Sequence, residues 1–204
     1  MAEACCEISP TPSPDRRYRR ILWTALAVNA AMFVVELAAG LSAGSVSLLA
    51  DAIDFLGDAG NFGLSLMVLG LPLVWRARAA LVKAAAMGGY GLVVLAIAVH
   101  NLIAGTVPHA PTMGAVAFLA LLANMGVAVL LYAHRTGDSN RQSVWLCSRN
   151  DAIGNLAVIG AAGLVFVTGT GIADVAVAAA MAALGLSAAT RVARTATREL
   201  TSPA

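Results

Sequence analysis

Two short stretches of this chain place metal-ligating side chains four residues apart. Asp54 and Asp58 form one pair within LLADAIDFLGDAGN, and Cys147 and Asp151 form the other within NRQSVWLCSRNDAIGN. In a helix, side chains at i and i+4 lie on one face, about 5–6 Å apart at Cβ. Each pair can therefore converge on one ion. Two pairs facing one another would supply the four ligands that tetrahedral zinc takes.

Both stretches lie in apolar surroundings, which makes their charges costly. A charged side chain near the centre of a bilayer costs on the order of 3 kcal/mol, and clustered carboxylates repel one another unless a cation or protons neutralise them. A cation pathway explains the three aspartates of the first stretch, Asp51 included. The alternative is a structural role in hydrogen bonding between helices, which suits Glu36 and Asp174 better.

Three further polar residues near the two pairs have open roles. Asp51 precedes Asp54 by three residues, so it either lines the same face as a relay that supports the ligands or begins the helix near the outer surface. Asn155 follows Asp151 by one turn and is a second candidate for such a supporting position. Arg149 is predicted to point off the face of the second pair, where it snorkels or pairs with an acid on another helix.

The composition is that of a membrane protein. Of the 204 residues, 59% are hydrophobic and 12% are charged, against about 25% charged residues in a typical soluble domain. A helix that crosses a bilayer needs about 20 mostly apolar residues. Runs of this kind predict six spans, at 21–43, 46–74, 79–104, 113–133, 143–167 and 172–189. The predicted fold is an all-α polytopic membrane protein, a bundle of six transmembrane helices.

The basic residues mark one side of the membrane. They cluster before span one, between spans two and three, between spans four and five, and after span six, whereas the loops AGS, GTVPHAPT and TGTG carry none. The positive-inside rule then predicts a multi-pass protein of the inner or plasma membrane with both termini in the cytoplasm. The predicted organisation is a cytoplasmic tail over 1–20, a transport domain over 21–190 and a short cytoplasmic tail over 191–204.

A pair of cysteines lies in the predicted amino-terminal tail. Cys5 and Cys6 stand side by side in the segment ACCE, and the whole chain has three cysteines, too few for a disulfide framework in a cytoplasmic context. The two thiols are either inert in an exposed tail or a capture site for soft metals, since thiolates favour zinc and similar ions. Both interpretations are open from the sequence.

The two polar stretches resemble those of a known family. AGSVSLLADAIDFLGDAGNFGLSL is similar to the second transmembrane helix of the cation diffusion facilitator family, and NRQSVWLCSRNDAIGNLAVIGA is similar to its fifth. The resemblance implies six spans, cytoplasmic termini and a midplane site for a divalent metal, usually zinc. On that comparison Asp54, Asp58 and Asp151 take three ligand positions. Cys147 stands where the family usually has His or Asp, which makes the site softer.

Two further departures from the family pattern concern a loop and the carboxyl-terminal end. The loop HRTGDSNRQ lacks the His-rich tract found in many members, and few residues follow span six. The chain is therefore expected to be a short form without the cytoplasmic metal-binding domain common in the family. That domain provides a usual dimer contact, so the oligomeric state is open, with a homodimer as one arrangement.

The predicted function is that of a secondary transporter, not an enzyme, which exports a divalent cation, zinc or else cadmium, from the cytoplasm. The resemblance implies exchange for protons, and metal and protons compete for the same deprotonated ligands. The partners are the ion, protons and the lipid bilayer, with no nucleic acid, no cofactor and no catalytic residue. One alternative is a membrane-embedded metallohydrolase, although the sequence has no HExxH motif. The other is a passive channel, whose pore would be lined by rings of acids or carbonyls.

Overall fold

The computed structural model describes residues 16–67, 73–132 and 139–201, and within them the side chains other than those of 65, 73, 76 and 139–150. Over these residues the chain forms six α-helices: α1 (Arg16–Ala43), α2 (Val46–Met67), α3 (Leu73–Ala104), α4 (Ala110–Tyr132), α5 (Ser139–Thr168) and α6 (Ile172–Thr201). The prediction of an all-α bundle of six helices is confirmed.

The surface of the bundle is apolar and its interior holds polar groups. In the described part of the chain, five helical stretches are long and apolar enough to cross a membrane: Arg16–Ala43, Ala77–Ala104, Ala110–Tyr132, Asp151–Thr168 and Ile172–Thr201. α2 differs because it carries three aspartates. Ile103 and Val167 are each 81% exposed, whereas Glu36 and Asn155 are fully buried. This inverted pattern suits a bundle that faces lipid.

Three closely packed helix pairs build the bundle, namely α1 with α2, α3 with α6, and α4 with α5. α2 also packs against α3, α5 and α6, so most of its surface meets protein. Small residues allow this close approach, as is usual between helices in membranes. A Cβ placed on Gly114 of α4 would lie 3.6 Å from the Cβ of Ala162 on α5. The packing therefore turns the polar face of α2 towards other helices.

α1, α3 and α5 each end at a glycine with left-handed backbone. The φ angles are 67° at Gly44, 66° at Gly105 and 64° at Gly169, a conformation that glycine adopts without steric cost. At the end of α1, the Ser45 amide donates to the Gly40 carbonyl at 3.0 Å, the bond that closes a Schellman motif. α1 therefore turns into α2 through only two residues.

The first turn of α2 is held by a carboxylate of α6. Asp174 accepts hydrogen bonds from Ser45 Oγ (2.7 Å), Val46 N (2.7 Å), Ser47 N (3.0 Å) and Ser47 Oγ (2.6 Å). The Leu48 amide donates to Ser45 Oγ at 3.3 Å. The first amides of a helix have no helical acceptor, and negative charge beside them is favourable. The structural role predicted for Asp174 is confirmed.

Several helices extend beyond their predicted spans, α6 and α3 by the most residues. α6 continues to Thr201, although its apolar run ends near 189, and α3 begins at Leu73 rather than at 79. An apolar run marks where contact with lipid ends, but helical hydrogen bonding continues while helix-forming residues such as Ala and Arg follow. Residues 191–201 are therefore helical. The division of the chain into tails and a transport domain stays a prediction.

Candidate metal centre

α2 presents its aspartates along one side. Asp51, Asp54 and Asp58 are spaced three and four residues apart, which places them on one helical face. Asp51 is 1% exposed, whereas Asp54 and Asp58 are partly exposed. Ile53 and Phe55, between them in sequence, are buried in apolar clusters. This apolar packing fixes the rotation of α2 and therefore the direction in which the aspartates point.

α5 brings Asp151 against this face. Its carboxyl group lies within hydrogen-bonding reach of that of Asp58, and Asp54 lies close enough to act on it electrostatically. The Oδ2 atom of Asp151 is buried and has no hydrogen-bond partner in the described part of the chain. Two carboxyl groups this close together can share one proton. The Asp58–Asp151 contact is therefore a place where a proton and a cation can substitute for one another.

The full four-ligand set predicted from the sequence is not assembled by the residues described. Among their side chains, no three metal-ligating groups lie close enough together to hold an ion. The fourth predicted ligand, Cys147, belongs to α5, but its side chain lies outside the described ones, as does that of Arg149. Cys5 and Cys6 lie outside the described residues altogether. These assignments stay predictions.

A second pair of acids lies towards the carboxyl-terminal end of α1 and the amino-terminal end of α2. Glu36 is fully buried, and its carboxyl group is close enough to that of Asp51 to interact with it. Neither oxygen of Glu36 has a hydrogen-bond partner among the described residues, and the Oδ2 of Asp51 has none either. Asp51 is thus buried against α1 rather than exposed at the start of α2. Sequence reasoning treated Glu36 as a helix-bridging group, and its pairing with Asp51 was not foreseen.

Asn155 is buried one turn beyond Asp151 on α5. It is 0% exposed, and neither Oδ1 nor Nδ2 has a hydrogen-bond partner in the described residues. Buried amides normally find partners, because an unmade bond costs about 1–3 kcal/mol. Together with Glu36, Asp51 and Asp151, this side chain leaves the interior of the bundle with several oxygen atoms available to a proton or a cation.

A lysine also reaches this region, which the sequence pattern did not indicate. In the sequence Lys83 is one of the basic residues near the junction of spans two and three, but it lies well inside α3, where its ammonium donates to the Asn61 side chain of α2. Its charge also acts on the carboxylate of Asp58. Periodicity does not show which face of α3 meets α2, so only the helix packing reveals this contact.

One comparison with known proteins adds to this picture. The sequence model of a family described as the cation efflux transmembrane domain matches residues 22–71 and 76–201. The matched region contains both four-residue pairs and all six helices, apart from the first turns of α1 and α3. No curated protein matches the chain.

Proposed function

The chain belongs to the cation efflux family, and we propose that it exports zinc, with cadmium as a competing ion, from the cytoplasm in exchange for protons. Membership makes it a multi-pass membrane transporter of the cation diffusion facilitator kind, a family of transporters rather than enzymes. The identity of the ion, the exchange for protons and the ligand residues are the parts that we propose.

The contact between Asp58 and Asp151 carries the proposal. It joins α2 to α5 inside an apolar bundle, where uncompensated carboxylates are costly, and it leaves one Asp151 oxygen without a hydrogen bond in the described part of the chain. Asp54, one turn from Asp58, is the third proposed ligand. Cys147, one turn before Asp151, is the fourth. A set of three carboxylates and one thiolate accepts zinc and favours softer ions more than an all-oxygen set would.

The same groups support exchange for protons. Metal binding requires deprotonated ligands, so protons that reach the carboxylates release the ion. Asp51 and Glu36 extend the line of acids from Asp54 towards the outer ends of α1 and α2. We assign them to the path by which protons arrive, with Asn155 as a supporting polar group.

The proposed direction of transport depends on the orientation of the bundle. α1 begins with exposed arginines, and the last turns of α6 expose three more, at Arg191, Arg194 and Arg198. Trp23 and Tyr132 are 55% and 50% exposed near the same end, as interfacial aromatic residues are expected to be. This distribution supports cytoplasmic termini, with the glycine-capped ends of α1, α3 and α5 outside.

The test is zinc transport by purified protein in liposomes with an imposed proton gradient. Asp54→Asn and Asp58→Asn should each lower the transport rate at least about 100-fold, because zinc sites use carboxylate oxygens and a neutral amide oxygen is a much weaker zinc ligand. Glu199→Gln, at an exposed position near the end of α6, is the matched control and should transport normally. Full activity in either aspartate variant would refute the ligand assignment, and uptake that ignores the proton gradient would favour a channel.

A further inference from the structure

The lysine of α3 lies beside the proposed site in a defined position. Lys83 is partly buried, and its ammonium donates to Asn61, which follows Asp58 by three residues on α2. Residues three apart are neighbours on a helix face, and the lysine charge acts on the Asp58 carboxylate. A positive charge of the protein itself therefore stands next to a proposed metal ligand.

Two glycines on either side of Asp58 create the space for this arrangement. A Cβ on Gly60 would lie 3.2 Å from Cδ and 3.3 Å from Cε of Lys83, and a Cβ on Gly57 would lie 3.0 Å from Cε of Met87. Lys83 and Met87 are one turn apart on α3, so both side chains pack directly on the α2 backbone. The lysine stem is thus held by close contact as well as by the hydrogen bond to Asn61.

The position of the ammonium relative to the proposed ligands matters for transport. Asn61 lies beyond Asp58 in the direction of the carboxyl-terminal end of α2, which is the predicted cytoplasmic end. An ion that enters from the cytoplasm would therefore meet Lys83 before it reaches Asp58. A unit charge and a divalent ion about 6 Å apart repel enough, even at the dielectric constant of water, to change affinity about tenfold.

We propose that Lys83 is a resident counter-cation of the transport site, held by Asn61 and the Gly60 backbone. Its ammonium balances the negative charge of Asp58 while the site is empty. When an ion is bound, the ammonium repels it and keeps the affinity for the metal low enough for release. Lys83 is on this view a positioning residue that sets metal affinity without ligating the metal. The inference rests on the proposed function, because it requires Asp58 to bind the ion.

The test compares the full chain with Lys83→Met, which keeps the long stem but removes the charge. Zinc affinity is measured on detergent-solubilised protein by competition with a fluorescent chelator, and KM and kcat are measured in liposomes. Lys83→Met should bind zinc about tenfold more tightly, with lower KM and lower kcat. Arg78→Gln is the matched control. Arg78 is exposed on α3, and its guanidinium carbon lies 5.1 Å from the centroid of the Trp75 ring. This control should leave all three values unchanged.

A further variant, Asp58→Asn, separates the two possible failures. If Asp58→Asn leaves zinc affinity unchanged, the proposed site is wrong. If Asp58→Asn weakens binding but Lys83→Met binds zinc as the unmodified chain does, the inference about Lys83 is overturned, and the lysine only fills space. A lower unfolding temperature of Lys83→Met without any change in affinity would have the same meaning.

Discussion

Asp174 and Asp151 are the same residue type inside the same bundle, but their surroundings are opposite. The Asp174 carboxylate accepts four hydrogen bonds from the start of α2. Asp151 instead faces other acids, and one of its oxygens has no partner among the described residues. A buried carboxylate that accepts hydrogen bonds from fixed donors holds two helices together as part of the structure. A carboxylate that faces other carboxylates needs a proton or a cation as its partner. Either of these can bind and be released, as the proposed transport requires.

Asparagine at each position should separate these roles and produce the largest effects. Asp151→Asn should lower zinc transport at least about 100-fold while leaving stability unchanged, because a proposed carboxylate ligand of zinc is lost and a buried charge is removed. Asp174→Asn should cost about 3 kcal/mol of unfolding free energy, since hydrogen bonds to a charged acceptor are lost and an amide donor meets backbone donors. Transport in liposomes and thermal unfolding in detergent measure the two effects.

These two variants also test the comparison itself. Transport per folded molecule should survive in Asp174→Asn. If Asp174→Asn abolished transport in well-folded protein, Asp174 would belong to the transport machinery and the contrast would be wrong. If Asp151→Asn destabilised the chain as much as Asp174→Asn does, Asp151 would be a structural group.

Two glycine substitutions should show a smaller difference in stability. A Cβ on Gly171, the residue immediately before α6, would collide with the Thr106 carbonyl oxygen, which is backbone and cannot move aside easily. Gly171→Ala should therefore cost about 2 kcal/mol of unfolding free energy, as overpacking typically does. Gly63→Ala on α2, where nothing lies within 4 Å, is the control. It should be neutral or slightly stabilising, and equal losses in both variants would mean that the contact with Thr106 is not the cause.

The smallest expected effect concerns the chemistry of the inner site. If Cys147 is a ligand, Cys147→His replaces sulfur at about 2.3 Å with nitrogen at about 2.0–2.1 Å, and preference should move from cadmium towards zinc because thiolate favours the softer ion. Cys147→Ser should weaken transport of both ions. The measurement is the ratio of zinc to cadmium transport rates. If the unmodified chain, Cys147→His and Cys147→Ser all showed the same ratio, Cys147 would not be a ligand, and the site would consist of three carboxylates.

The helices themselves were easier to predict than the contacts between them. Long apolar runs identified six helices, and the four-residue spacings predicted that Asp54 and Asp58 share one face of α2, and Cys147 and Asp151 one face of α5. The pairing of Glu36 with Asp51 and the approach of Lys83 to Asn61 depend on how α1 and α3 are rotated against α2. In a membrane protein both the lipid face and the packed face are apolar, so hydropathy does not indicate that rotation.

Long-range partners were hidden for a related reason. The Ser45 and Ser47 hydroxyls bond Asp174, which lies in a different part of the sequence on α6. The local sequence around Ser45 and Ser47 does not indicate that Asp174 is their partner, and the sequence around Asp174 does not indicate the serines. The length of α6 was also underestimated, because hydropathy detects contact with lipid and the helix continues past it to Thr201.

The bonds at Asp174 also mark the end of the bundle where we expect the least movement. They hold α6 against the first turn of α2, and Gly171 lies against the Thr106 carbonyl close by, so the α3–α6 pair is attached to α2 at the end where α6 begins. Thr201 lies roughly 40 Å away along α6, at 1.5 Å per residue. A rigid helix that is held at one end rotates about that end, and its displacement grows with distance from it. We therefore expect the α3–α6 pair to act as a lever whose widest travel is at the predicted cytoplasmic end.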